Sequence, residues 1–332
     1  MTKDTISQMT EFWPLPSSAS LERVRDVDAG ELSRILENIG LTAVQVQEIV
    51  DHWPEVQENP QWASLLAAGY TMVTADRGNF NAPVPIWTDL NDVGDEGRLF
   101  YFYLFALCYD ETVAYLRQSG TPEDIIDASV GILARHSATY ERKWGSLGVE
   151  TGWWTLLVLR GELLQIGALE FHRVTLGVGT LSPEWYDESD ARALGPGFRR
   201  GDPSIGLHIS QDANLTPASL DRTFADARRL LGELWPVSQR RLATCRSWTM
   251  DDRLVEVLRP DSNLVGFQRR FELVPGWLDG DEDVLDFVFR RPNTALAHLP
   301  QTTSLERAVV AVLQRGNHWR TRTGWLDFDG EL

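Results

Sequence analysis

The chain has 332 residues, of which 43% are hydrophobic and 10% aromatic, and it carries a formal net charge of -17. That length and apolar content suit one large or two smaller globular domains with packed cores. The negative balance argues against a general nucleic-acid binder, and two cysteines, Cys108 and Cys245, give neither a disulfide framework nor metal-ligand spacing.

The chain opens Met-Thr-Lys-Asp and stays polar, with no basic flank before an apolar run, so a secretory signal is not expected. No stretch is apolar enough for long enough to span a bilayer, and the reading is a cytoplasmic protein without a membrane partner. The acidity is concentrated in residues 1–148. The remainder contains the basic pairs Arg199-Arg200, Arg240-Arg241, Arg269-Arg270 and Arg290-Arg291.

In chain order, residues 29–38 and 42–52 carry apolar side chains at three-to-four spacing, which predicts two helices with Gly40 as the stop between them. Residues 78–95 are rich in proline and turn formers and predict a loop. A helix over residues 98–118 is apolar around most of its circumference, which predicts a central place in a bundle. Thr121-Pro122-Glu123-Asp124 starts the next helix.

Near residue 148 the pattern turns strand-like, and the domain boundary is placed there: a helical domain over 1–148 and a second domain over 149–332. Residues 153–159 and 163–174 predict a hairpin joined by Arg160-Gly161-Glu162. A long connection over 177–203 leads to a polar strand at 204–210, then to a helix capped by Thr216 with Pro217 in its first turn. Leu220, Phe224, Ala227, Leu231 and Leu234 form the buried stripe of that helix.

Residues 242–249 predict a strand and 251–258 a short helix, and 263–273 with 284–290 predict a final strand pair. The acidic run 279–283 reads as a hydrophilic turn. Thr303-Ser304-Leu305-Glu306 is a capping box for a closing helix that stops near Gly316.

The order of elements from residue 153 to 290 resembles the core of the GCN5-related N-acyltransferase (GNAT) fold. Five phrases also resemble a bacterial two-domain family with a helical N-acyltransferase N-terminal domain and a GNAT-like C-terminal domain. They are the runs 164–171 (LQIGALEF), 207–210 (LHIS), 245–248 (CRSW), 261–267 (DSNLVGF) and 302–307 (TTSLER). The resemblance implies an α+β fold, with a helical domain followed by a mixed sheet and flanking helices. It also implies transfer of an acyl group from a thioester donor such as acyl-CoA to an amine, with no tightly bound cofactor. One departure stands out. The usual pyrophosphate loop of such enzymes is basic and glycine-rich, whereas this chain has Gln211-Asp212-Ala213-Asn214.

Amide formation from a thioester needs a neutral amine, a donor for the developing oxyanion and a proton for the leaving thiolate. The two-residue period sets Gly206, His208 and Ser210 off the apolar face of their strand, so His208 is a candidate base as well as an ordinary hydrogen-bonded strand histidine. Gly206 either lets a ligand approach the backbone or marks a bulge. Glu170, amid apolar neighbours, is a second candidate base, and His172 shares its face.

Ser247 and Cys245 are candidates to protonate the thiolate if their face lines the site. Trp248 and Asn263 are candidate substrate contacts. Ile209, Ser210, Gln211, Asn214 and Thr216, at the strand edge and the helix N-terminus, are the expected donor-binding residues. A carrier-protein or aminoacyl-tRNA donor docking on the arginine pairs, or a catalytically silent GNAT-like binding module, are the alternative readings.

Overall fold

A computed structural model describes residues 14–80, 82, 90–177, 199–210, 212–237, 241–291 and 294–330. Residues 81 and 83–89 of the expected loop at 78–95, most of the connection at 177–203, and Gln211 lie outside the described residues. The chain divides into two compact units, residues 1–164 and 165–332.

The first unit is helical. Its helices are α1 (Ser18–Asp26), α2 (Ala29–Ile39), α3 (Ala43–Glu58), α4 (Pro60–Ala75), α5 (Gly94–Gln118), α6 (Glu123–Val130), α7 (Ile132–Trp144) and α8 (Gly152–Leu159). Asp28 caps α2 by accepting from Glu31 N at 2.8 Å, and Gly40 ends that helix in the left-handed region at φ 100°. Thr42 and Gln45 then form a reciprocal capping box that starts α3. The predicted helices are present, each longer than its periodic stretch. Thr121 is not the cap of α6, because Pro122 takes that position without a side-chain bond.

α5 is the centre of the unit, with Phe100, Phe102, Tyr103, Leu104 and Phe105 fully buried. A helix apolar on all sides needs neighbours on all sides. Trp53 of α3 stacks on Tyr103 at 4.9 Å between ring centroids, while its indole N–H donates to Val27 O at 2.8 Å.

Residues 153–159 are a helix, not the first arm of a hairpin. A short, continuous apolar run does not distinguish a buried strand from a buried helix by periodicity, and here α8 is enclosed by packing against α5, where Gly152 lies against the Tyr101 ring with no room for a Cβ. After α8, Gly161 turns the chain at φ 74°. Arg160 and Glu162 flank the turn as a buried ion pair at 2.7 Å, and burial pushes the Glu162 carboxyl up to about 7 despite its partner.

The second unit is a six-stranded sheet in the order β1-β2-β3-β4-β6-β5. Its strands are β1 (Leu163–Ile166), β2 (Leu169–Thr175), β3 (Pro203–Ile209), β4 (Leu242–Ser247), β5 (Glu272–Asp279) and β6 (Arg320–Asp327). The helices between them are α9 (Pro217–Leu234), α10 (Arg253–Val257), α11 (Asn263–Gln268), α12 (Asp281–Phe289) and α13 (Ser304–Gln314). β3 and β4 run parallel, while the β2/β3, β4/β6 and β5/β6 pairs are antiparallel. The architecture is therefore α+β, a helical unit followed by a mixed sheet with flanking helices.

The expected final strand pair is corrected at both arms. Residues 263–268 are helical because Ser262 caps them, accepting from Val265 N at 3.3 Å. Residues 281–289 are helical too, and the acidic run expected as a turn supplies Asp281, Glu282 and Asp283 to the first turn of α12. The strand that pairs with β5 is β6, which follows the correctly expected capping-box helix α13. Trp319, just before β6, anchors a core with Val284, Val309, Val310 and Leu254.

The end of β6 is held by Arg241. Its guanidinium meets Asp329 at 2.6 Å, its backbone N–H donates to the same carboxylate at 2.7 Å, and Phe328 N donates to Arg241 O at 2.9 Å. The Arg241 side chain is only 7% exposed, so removal of its partner strands a charge. Asp329→Ala is expected to lower unfolding free energy by about 2 kcal/mol, since the pair is only partly buried. Urea unfolding followed by circular dichroism measures it, and an unchanged midpoint would refute the assigned role.

Candidate active site

The β1–β2 turn fixes the register on which the site depends. Gly167 turns at φ 56°, Ala168 N donates to Thr223 Oγ1 of α9 at 3.0 Å, and a Cβ on Gly167 would collide with that hydroxyl. From this pinned turn, β2 pairs with β3 without interruption: Glu170 opposite His208, Phe171 opposite Leu207, His172 opposite Gly206. Gly206 is therefore not a bulge.

Pairing sorts the side chains onto two faces. One face carries Phe171, Ile205, Leu207 and Ala243. It packs on α9, where Phe171 meets Phe224 edge-on at 6.4 Å, and Leu220, Phe224, Ala227 and Leu231 of the expected stripe are buried. The other face carries Glu170, His172, Gly206, His208 and, through the parallel pairing of Gly206 with Thr244, Thr244. Glu170, His172 and Thr244 are buried.

His172 and His208 lie with ring centroids 5.9 Å apart, tilted by 43°. His208 keeps partial exposure as a whole residue, but its Nε2 atom is buried. Desolvation, followed by the neighbouring His172 imidazole, pushes its pKa down to about 3. The ring is therefore neutral across the physiological range.

β3 and β4 are paired only from Ser204–Leu242 to Gly206–Thr244. Both strands continue, β3 to Ile209 and β4 to Ser247, but without further shared register. The two parallel strands thus part at the residue before Leu207, and His208 stands on the β3 side of the opening.

Beyond β3, Ser210 O accepts from Ala213 N at 3.1 Å, Asn214 Oδ1 accepts from Thr216 N at 3.2 Å, and Thr216 is the N-cap of α9. The Thr216 hydroxyl makes no capping bond, Pro217 holds the first position, and no acidic residue lies in the first turn. The first-turn backbone N–H groups of an 18-residue helix thus end the strand-to-helix connection.

The other candidates are elsewhere. Register places Cys245 and Ser247 with Ala243 on the face opposite His208. Burial pushes the Cys245 thiol up to about 12, so it is no ready proton donor or thiolate, and Ser247 Oγ accepts from Thr249 N at 3.1 Å at the start of a single 3₁₀ turn. Trp248, in that turn, belongs to the core around Leu254 and Trp319. Asn263 is exposed at the first position of α11. Thr244, absent from the candidates, joins the His208 face only because β3 and β4 are parallel neighbours, which no local pattern reveals. Among the described residues no His, Cys, Asp or Glu cluster is placed to hold a metal ion, and no helix is long and apolar enough to cross a membrane.

The neutrality of His208 has a measurable cost. In the unfolded chain a histidine takes up a proton near pH 6.5, whereas the native ring resists one down to about pH 3. Its contribution is thus fully present above pH 6.5 and is lost as pH falls from 6.5 towards 3, by up to about 1.4 kcal/mol per pH unit. Urea unfolding at pH 7.5 and pH 5 is expected to show a smaller loss in His208→Gln than in the parent chain. An equal loss in both would refute the burial assigned to the ring.

Comparison with known proteins agrees with this architecture. A family model described as an N-acyltransferase N-terminal domain matches residues 30–161, and one described as a GNAT-like C-terminal domain matches residues 163–326. Comparison with curated protein sequences gives no match. The crystal structure of an acyltransferase in complex with decanoyl-CoA is similar at 26% identity and a TM-score of 0.81, over 98% of this chain and 96% of that chain. A structure of an acyltransferase with decanoyl-CoA and teicoplanin is similar at 27% identity and a TM-score of 0.81, over 99% and 96%. Another, with CoA and 10C-teicoplanin, is similar at 26% identity and a TM-score of 0.78, over 99% and 96%.

Proposed function

The chain belongs to the two-domain acyltransferase family that joins an N-acyltransferase N-terminal domain to a GNAT-like C-terminal domain, and from that premise we propose that it moves an acyl group from acyl-CoA to the amine of a small molecule. The observation that carries the donor assignment is the parting of β3 and β4 after Gly206–Thr244, beside the N-terminus of α9. Parallel strands that separate leave peptide N–H and C=O groups of Leu207, Ile209 and the end of β4 directed into the gap, where the amides of a pantetheine arm complete a ladder. Ile209 and Ser210 line the strand side, while Asn214, Thr216 and the first turn of α9 receive the pyrophosphate. Gln211 belongs to the same connection by sequence. The helix amides do this without the usual basic glycine-rich loop.

His208 is the base. As the amine nitrogen bonds to the thioester carbon it becomes far more acidic than the free ammonium, and the neutral His208 imidazole takes up its proton. Glu170 lies directly across the strand pair from His208, and that register pairing supports its reading as the partner of the transient imidazolium. The carbon–sulfur bond then breaks, and the imidazolium, itself a strong acid in this site, gives the proton to the departing thiolate. The products are an amide and CoA thiol. This path needs neither Cys245 nor Ser247, which stand on the other face.

His172 adjoins the reacting groups as a substrate contact. Trp248 and Asn263 remain assigned only by sequence. For the acceptor, a glycopeptide amine is the first class to test, given the similarity to an acyltransferase solved with teicoplanin. A CoA-thioester donor supports a cytoplasmic location. A carrier-protein or tRNA donor is disfavoured by the net charge of -17.

His208→Gln is expected to reduce kcat with decanoyl-CoA by about 10²–10⁴-fold, with donor KM within about twofold. Steady-state release of CoA thiol measures it, with circular dichroism as the check on folding. Full activity in the variant removes His208 from the mechanism. Absence of CoA binding by titration calorimetry at millimolar concentration would favour the silent binding module.

A further inference from the structure

Gly206 faces the same side of the sheet as His172 and His208, and the sequence leaves open whether its missing side chain makes room for a ligand. The geometry fills that room with protein. A Cβ built on Gly206 would lie 3.1 Å from His208 Nε2, 3.4 Å from His172 Cβ and 3.7 Å from His172 Nδ1. The first of these is tighter than ordinary van der Waals contact. The His208 ring is thus folded back along β3 over the position two residues before it, with His172 closing the other side from β2.

We propose that Gly206 is a positioning residue: its bare Cα is the seat into which the His208 imidazole packs, and the seat, rather than room for the donor, is why this strand position has no side chain. The inference rests on the reading of His208 as the base. Gly206 is at the last β3–β4 pair, where the backbone is still held by Thr244, so the seat is rigid up to the point where the strands part. A catalytic ring needs such a support, because a displacement of about 1 Å costs on the order of 10²-fold in rate.

The test is Gly206→Ala in the full chain, with kcat, donor KM and the imidazole ¹⁵N resonances of His208, identified by their loss in His208→Gln. The alanine is expected to shift the ring resonances and lower kcat by about 10- to 100-fold, with donor KM within about twofold. Unchanged kcat and ring resonances overturn the proposal. A raised donor KM or weakened CoA binding with kcat preserved also overturns it, since the space then serves the ligand.

Should Gly206→Ala fail to fold, His172→Ala reads the same packing from the opposite side. Shifted His208 ring resonances support the seat, and resonances at their parent positions refute it. If His208→Gln retains full turnover, the base assignment fails by itself. The seating is then decided by the ring resonances alone.

Discussion

The constraint on which the second unit turns is a parallel ladder that stops short. β3 and β4 share three register pairs and then separate, although both strands run on. Backbone polar groups must find partners, so two strands that part in the middle of a sheet need the rest of the structure to keep them apart. β2 holds β3 through seven paired residues on one side, and β6 holds β4 through six on the other. Each inner strand is thus fully supported on its outer edge and free to diverge on its inner one.

The two faces of this sheet have different tasks, and the alternation of the strands divides them. The Phe171, Ile205 and Leu207 face is hydrocarbon against α9, which supplies the burial that holds the sheet. The Glu170, His172 and His208 face gathers the polar groups, and burial there keeps the His208 ring neutral. The same physics gives a different result at Cys245, where burial on the apolar side holds the thiol inert. Two candidates one strand apart are separated by a single fact of register.

Two buried or partly buried ion pairs sit at a turn and at a strand end. Arg160 and Glu162 bracket the glycine turn that closes the helical unit, and Arg241 with Asp329 ties the end of the last strand. The second pair does not follow from its local sequence. Arg241 and Asp329 are 88 residues apart, and only the docking of β6 beside β4 brings them within reach.

The sequence alone determined what depends on neighbours within one or two turns. The capping box at Thr303, the glycine stop at Gly40, the all-apolar α5 and the amphipathic stripe of α9 are local physics, and each is found where the pattern places it. The five phrases carried the family and the general chemistry. Tertiary structure decided the rest, because the deciding contacts are distant in the chain. Residues 153–159 became a helix through enclosure beside α5, and residues 284–289 gave up the strand state to pack on α13. β6 paired with β5 from beyond that helix, and strand pairing alone put Thr244 on the face of His208 and Cys245 and Ser247 on the opposite one. A two-residue period says that side chains alternate; it does not say which strand lies beside which, and on that adjacency the membership of the site depends.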